Sequence, residues 1–171
     1  MLRSELDLTQ GVWRIGGDRT KNGLLHEIPL SSDALDIIRL QAASKERELI
    51  FGSRAGPFQG WSKAKAALDA RILSSLREER GEKVNLVPWR LHDVRRTAAT
   101  RMADLGILPH VVEAVLNHVS GHKAGVAGIY NRATYAAEKR QALSIWAAHV
   151  QSLTAVRERK HDTAARVLEC S

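Results

Sequence analysis

Leu91-His92-Asp93-Val94-Arg95-Arg96-Thr97-Ala98-Ala99-Thr100 is the stretch that decides the fold. Leu91, Val94, Ala98, Met102 and Leu105 recur at helical spacing, which predicts one apolar stripe along a helix. Gly106 follows as the residue that leaves that helix at its C′ position. His92 and Arg95 are three apart, so their side chains are neighbours on one face beside the stripe. Arg90 and Arg96 flank them, Arg101 follows, and Asp93 is the acid set among them. Two readings of this face stand side by side. It is either a solvated basic face whose arginines pair with glutamates elsewhere, or a surface that grips phosphate through the planar guanidinium fork.

Downstream, Pro109 restarts a short helix with Val111, Val112, Val115 and Leu116 inward, ending at Leu116-Asn117-His118. A histidine there commonly serves as a cap that interacts well with the helix dipole. Residues 121–128 are glycine-rich, and Tyr130 follows in Ile129-Tyr130-Asn131-Arg132. Residues 134 to about 150 read as a last amphipathic helix containing Leu143 and Trp146. The domain is expected to span 1–151, with 152–171 a polar tail, helical or disordered.

Upstream, Val12-Trp13-Arg14-Ile15 and His26-Glu27-Ile28-Pro29-Leu30 are β-prone. Between them lies Asp18-Arg19-Thr20-Lys21-Asn22-Gly23, whose Asn-Gly step predicts a β-hairpin with Lys21 at its tip. Ser31-Ser32-Asp33 reads as the cap of a helix carrying Leu35, Ile38 and Ala42. Ile50-Phe51 is expected to be a short strand, and 52–60 a turn-rich loop. A second helix is expected from 61 to about 79, with Ala64, Leu68, Ile72 and Leu76 on one face. The whole is one α+β domain, mostly α-helical, with a small N-terminal β-hairpin or sheet packed on a helical bundle.

The chain has 171 residues, 44% hydrophobic and 26% charged, enough apolar character for a real core. Its net charge of +7 favours a polyanionic partner, most simply nucleic acid. Cys170 is the single cysteine, which excludes an internal disulfide and a cysteine-based zinc cluster. No apolar run approaches the roughly 18 residues of a membrane span. MLRSELDLTQ lacks the apolar stretch of a signal peptide, so a cytoplasmic, nucleoid-associated bacterial protein without membrane contact is expected.

Taken together, Leu91-His92-Asp93-Val94-Arg95, Leu116-Asn117-His118 and Tyr130 resemble the catalytic half of the tyrosine recombinase (phage integrase) family. The order is an H-x-x-R pair, a second histidine after an L-x-H turn, and a tyrosine. The hairpin around Lys21 and the return strand Ile28-Pro29-Leu30 are similar to the family's lysine-bearing hairpin. The similarity runs from about residue 6 to 150. It implies site-specific DNA recombination through a phosphotyrosine intermediate, on double-stranded DNA, in a homo-oligomer. By resemblance, Tyr130 attacks the scissile phosphate and releases a deoxyribose hydroxyl. Arg95 holds the non-bridging oxygens, and His92 and His118 add hydrogen bonds or proton transfer. Lys21 protonates the leaving oxygen. Arg90, Arg96 and Arg101 are the expected DNA contacts. Fixed cations do the work, so neither metal nor cofactor is expected.

The family's glycine between leucine and histidine is Asn117 here, a residue that also enters the left-handed region. The stretch from His118 to Tyr130 is longer than in compact relatives. The family's first catalytic arginine, in an R-x-x-E context upstream of the hairpin, has no counterpart, since Arg3-Ser4-Glu5 has another spacing. These 171 residues are therefore expected to be a catalytic fragment that is inactive alone. A helix-turn-helix DNA-binding regulator built on residues 92–116 is the rival reading. His118 and His122 have an H-x-x-x-H spacing without an accompanying ligand set. Tyr135 is the second-ranked nucleophile, expected inside the start of the last helix.

Overall fold

A computed structural model of the chain describes residues 1–43, 47–52, 56–118 and 134–169, with side chains of the last helix described as far as 155. The extended N-terminal runs form an antiparallel sheet of β1 (Leu6–Asp7), β2 (Val12–Ile15) and β3 (His26–Pro29), in that order. Val12 pairs with Pro29 and Ile15 with His26; Val12 and Pro29 are buried on one face of the sheet and His26 on the other. Gly11, in the turn before β2, has φ +61°, and a Cβ there would lie 3.3 Å from Leu35 Cδ1. Glycine at that point lets the turn lie against the first helix. The two-residue β1 was not legible, because alternation cannot register over so short a run.

Strands β2 and β3 form the expected antiparallel hairpin around Lys21, joined by a long connection. It runs from 16 to 25 and opens with a 3-10 turn at Gly17–Arg19. Thr20 Oγ1 bonds the carbonyls of Gly17 and Leu24, at 3.1 and 2.7 Å, and this folds the connection into a compact loop. Asn22 Oδ1 accepts the Leu24 N–H at 3.2 Å, an Asx turn that keeps Lys21 and Asn22 at the outer end.

Helix α1 (Ser32–Ala43) starts as expected, with Ser31 Oγ accepting the Ala34 N–H at 3.3 Å. Ile50-Phe51 is not a strand. The pairing there is a single bridge between Leu2 and Leu49, flanked by Arg3 N–H to the Glu48 carbonyl at 2.7 Å. Ile50 is nonetheless buried, so its apolar character serves packing and not a ladder. In α2 (Trp61–Arg80) Leu68, Ile72 and Leu76 are only half-buried and Ala64 is exposed. Trp89 leans on this helix, donating from Nε1 to Asp69 Oδ1 at 2.8 Å with Lys65 over its ring.

The core lies among α3 (Leu91–Asp104), α4 (Pro109–Val115) and α5 (Ala136–Glu169). Met102, Ile107, Val111, Val112 and Ala142 are its buried members, with Leu143 and Trp146 packed against them. Gly106 has φ +82°, and the N–H of Ile107 returns to the Met102 carbonyl at 3.0 Å, the closing turn expected of a C′ glycine. The α3 stripe is only partly inward. Met102 is buried, but Leu91 and Val94 are 47% and 56% exposed. Helical spacing names the face, and α4 and α5 reach only its C-terminal half. Helix α5 continues unbroken across residue 151, where the domain was expected to end. Among the described residues no helix is long and apolar enough to cross a membrane.

Candidate active site

The N–H of Arg90 donates to Asp93 Oδ2 at 2.8 Å, a cap that starts α3 at Leu91. His92 then falls in the first turn and Arg95 one turn later, both exposed. The Arg95 Nη2 donates to the Leu116 carbonyl at 2.5 Å, so the guanidinium lies at the C-terminal end of α4. There the chain leaves the helix through Asn117 at φ +49°, the left-handed conformation expected of asparagine in a glycine position. The turn leaves His118 exposed, with its N–H on the Glu113 carbonyl at 2.9 Å. Asn117 Oδ1 in turn accepts Asn22 Nδ2 at 2.8 Å.

One corner thus joins three parts of the chain: the loop carrying Lys21, the guanidinium of Arg95, and the turn that presents His118. Lys21 is exposed next to the residue that makes the docking contact. His92 shares the Arg95 face by its spacing. Tyr130 and His122 lie outside the described residues. Tyr135 stands ahead of α5 and not within it, with φ +50°. Its carbonyl accepts the Lys139 N–H at 2.8 Å and its ring lies 5.2 Å from that of His110.

Two other arginines of α3 pair with acids of their own helix and not with distant glutamates. Arg96 meets Asp93 at 3.6 Å and Arg101 meets Asp104 at 3.2 Å, both pairs exposed. Exposed pairs of this kind contribute little, so a phosphate can replace the carboxylate at small cost. The three arginines upstream of Lys21 are differently placed. Arg3 bonds the carbonyls of Arg47 and Ala42 at 3.1 and 3.0 Å. Arg14 bridges Asp7 and Glu27, and Arg19 is paired with Glu5.

Residues 1–137 match the phage integrase family. The chain belongs to that family. It is also 32% identical over 144 residues to the prophage integrase IntA of Escherichia coli K12, a match covering 84% of this chain. The chain spans about a third of that relative's length, 32%. No solved structure gives a significant match.

Two buried polar residues of this integrase chain, His26 and Lys139, carry no motif signal in the sequence. Lys139 of α5 donates from Nζ to the Glu27 carbonyl of β3 at 2.6 Å. His26 lies beside it. Burial pushes the His26 imidazole below its ordinary value of 6.5, and the Lys139 charge adds to this. A hydrogen bond with the Val115 backbone opposes the shift, and the Arg95 charge lowers it further. The fold therefore favours the neutral form of His26. Below pH 6.5 the unfolded chain takes up a proton that the folded one refuses. Stability is then fully present above 6.5 and is lost as pH falls through the lower folded value. Urea midpoints measured from pH 7.5 to 5 should fall in wild type and stay flatter in His26→Gln. Equal slopes would remove His26 as the cause.

Proposed function

We propose that the chain carries the strand-cleaving and rejoining chemistry of site-specific DNA recombination, with Tyr130 as nucleophile. The observation that supports it most is the convergence of the Lys21 loop, Arg95 and the 116–118 turn through the Asn22–Asn117 and Arg95–Leu116 contacts. One Arg95 donor is used on Leu116, which leaves the outer part of the fork for two phosphate oxygens. The Tyr130 oxygen attacks phosphorus, the bond to the deoxyribose oxygen breaks, and Lys21 gives that oxygen its proton. The tyrosine proton passes to His118 or His92, whose imidazole acts as the general base. Arg95 offsets the charge that develops on the non-bridging oxygens. Attack by a deoxyribose hydroxyl on the phosphotyrosine reverses every step and rejoins a strand.

The partner in this reading is double-stranded DNA, reached in the cytoplasm and worked on by a homo-oligomer. Arg90, Arg96 and Arg101 add contacts to the backbone. A helix-turn-helix regulator would use α3 and α4 alone and gives the docked loop no purpose. Binding to an arbitrary duplex should weaken steeply with salt, because each phosphate contact releases counterion. Fluorescence anisotropy between 50 and 300 mM salt reads this, and Arg96→Ala with Arg101→Ala should flatten the slope. A flat slope in wild type would sink the DNA reading. Covalent capture of a nicked duplex tests the chemistry itself.

A further inference from the structure

We propose that Lys139 is a positioning residue: clamped on the Glu27 carbonyl, it holds the β2–β3 loop on α4 so that Lys21, Arg95 and His118 face one phosphate. This rests on the function proposed above. Strand β3 is an edge of the sheet, and its residue His26 is the point at which the Lys21 loop ends. Lys139 comes from α5, far along the chain, and is 5% exposed, a burial an ammonium tolerates only when its donors are satisfied. Its Nζ–O distance of 2.6 Å to Glu27 is that of a strong charge-assisted bond. The Glu27 side chain is engaged elsewhere, with Arg14 at 2.8 Å, so the clamp acts on the backbone of the strand.

Four elements meet around this point. The Val115 backbone of α4 hydrogen-bonds His26 of β3, and Lys139 from α5 and Arg95 from α3 act on it by charge, while Lys139 holds the neighbouring Glu27 carbonyl. Val115 is next to Leu116, whose carbonyl holds Arg95, and two residues from Asn117, which holds Asn22. A displacement of β3 is therefore passed to the loop at one end and to the arginine at the other. Misplacing reacting groups by about 1 Å costs on the order of 10²-fold in rate. A neutral His26 avoids setting a third positive charge near Lys139 and Arg95.

The experiment compares wild type with Lys139→Met in the full chain, which keeps an unbranched apolar side chain one atom shorter and removes charge and donor. Three quantities are read: protection of the Asn22 side-chain amide from hydrogen exchange, the NMR titration midpoint of His26, and capture of a nicked duplex. Lys139→Met should lose Asn22 protection, move the His26 midpoint upward, and lower capture about 10²-fold at unchanged DNA affinity. Lys139→Arg, which keeps a charged donor, should restore capture and the low His26 midpoint. If Lys139→Met does not fold, Lys139→Gln is read by the same three measurements. Unchanged Asn22 protection overturns the proposal, as does lost protection with wild-type capture. A wild type that binds DNA but never captures it would sink the catalytic reading. The positioning role would then be decided by Asn22 protection and the His26 midpoint alone.

Discussion

Tyr130→Phe is expected to abolish covalent capture of a nicked duplex while leaving DNA affinity unchanged. The substitution removes one oxygen, the atom that would bond to phosphorus, and keeps the ring. The cations proposed to hold the phosphate, Lys21, Arg95, Arg96 and Arg101, are untouched, so ground-state binding has no reason to fall. Removing a nucleophile that acts with its partners as a unit typically costs about 10⁶-fold. Capture should therefore drop below detection on a denaturing gel. Tyr135→Phe is the control. Tyr135 contributes a backbone carbonyl to the start of α5, and its ring rests against His110, so loss of its hydroxyl should leave capture intact. The reverse pattern, with Tyr135→Phe inactive and Tyr130→Phe active, would move the nucleophile to Tyr135.

Local signals in the chain were readable where backbone chemistry alone sets the outcome. Pro109 opens α4, Gly106 closes α3 and Asn117 takes up the left-handed turn, each from a conformational preference that needs no tertiary partner. The Lys21 loop was placed correctly between β2 and β3, although its hydrogen bonds through Thr20 made it longer than an Asn-Gly hairpin. What the sequence concealed depends on packing between distant segments. Lys139 stands in Glu138-Lys139-Arg140-Gln141, a run that reads as a solvated helix face. Its burial arises only because α5 crosses the edge of β3. His26 likewise looks like an ordinary strand residue until Lys139 and Arg95 approach it. The same limit explains Leu91 and Val94: their periodicity is right, but the cover over that end of α3 is not supplied by α4 or α5.

Capture by a polypeptide of these 171 residues should be slow, and guanidinium ion should speed it. In the family pattern two arginines share the charge that builds up on the transferring phosphate, and Arg95 is proposed above for the second of those roles. Three arginines precede Lys21, and each is held by the protein: Arg3 by two carbonyls, Arg14 by two carboxylates, Arg19 by Glu5. Turning Arg14 or Arg19 to the phosphate would break contacts that tie the N-terminal sheet together, and turning Arg3 would release the N-terminus from the end of α1. Loss of one preorganised donor of this kind costs about 10²–10³ in rate. On the proposed reading, the site of this 171-residue polypeptide works with one guanidinium, and such a site is suited to rescue by the free ion. Millimolar guanidinium, well below denaturing concentrations, should therefore raise the capture rate, while the same concentration of sodium or potassium should not. Arg95→Ala should remove the remaining activity and lower the ceiling that guanidinium reaches. Arg3→Ala and Arg19→Ala should change the melting temperature more than the capture rate. Fast capture without guanidinium, lost on Arg3→Ala or Arg19→Ala, would show that one of these arginines leaves its partners to serve the phosphate.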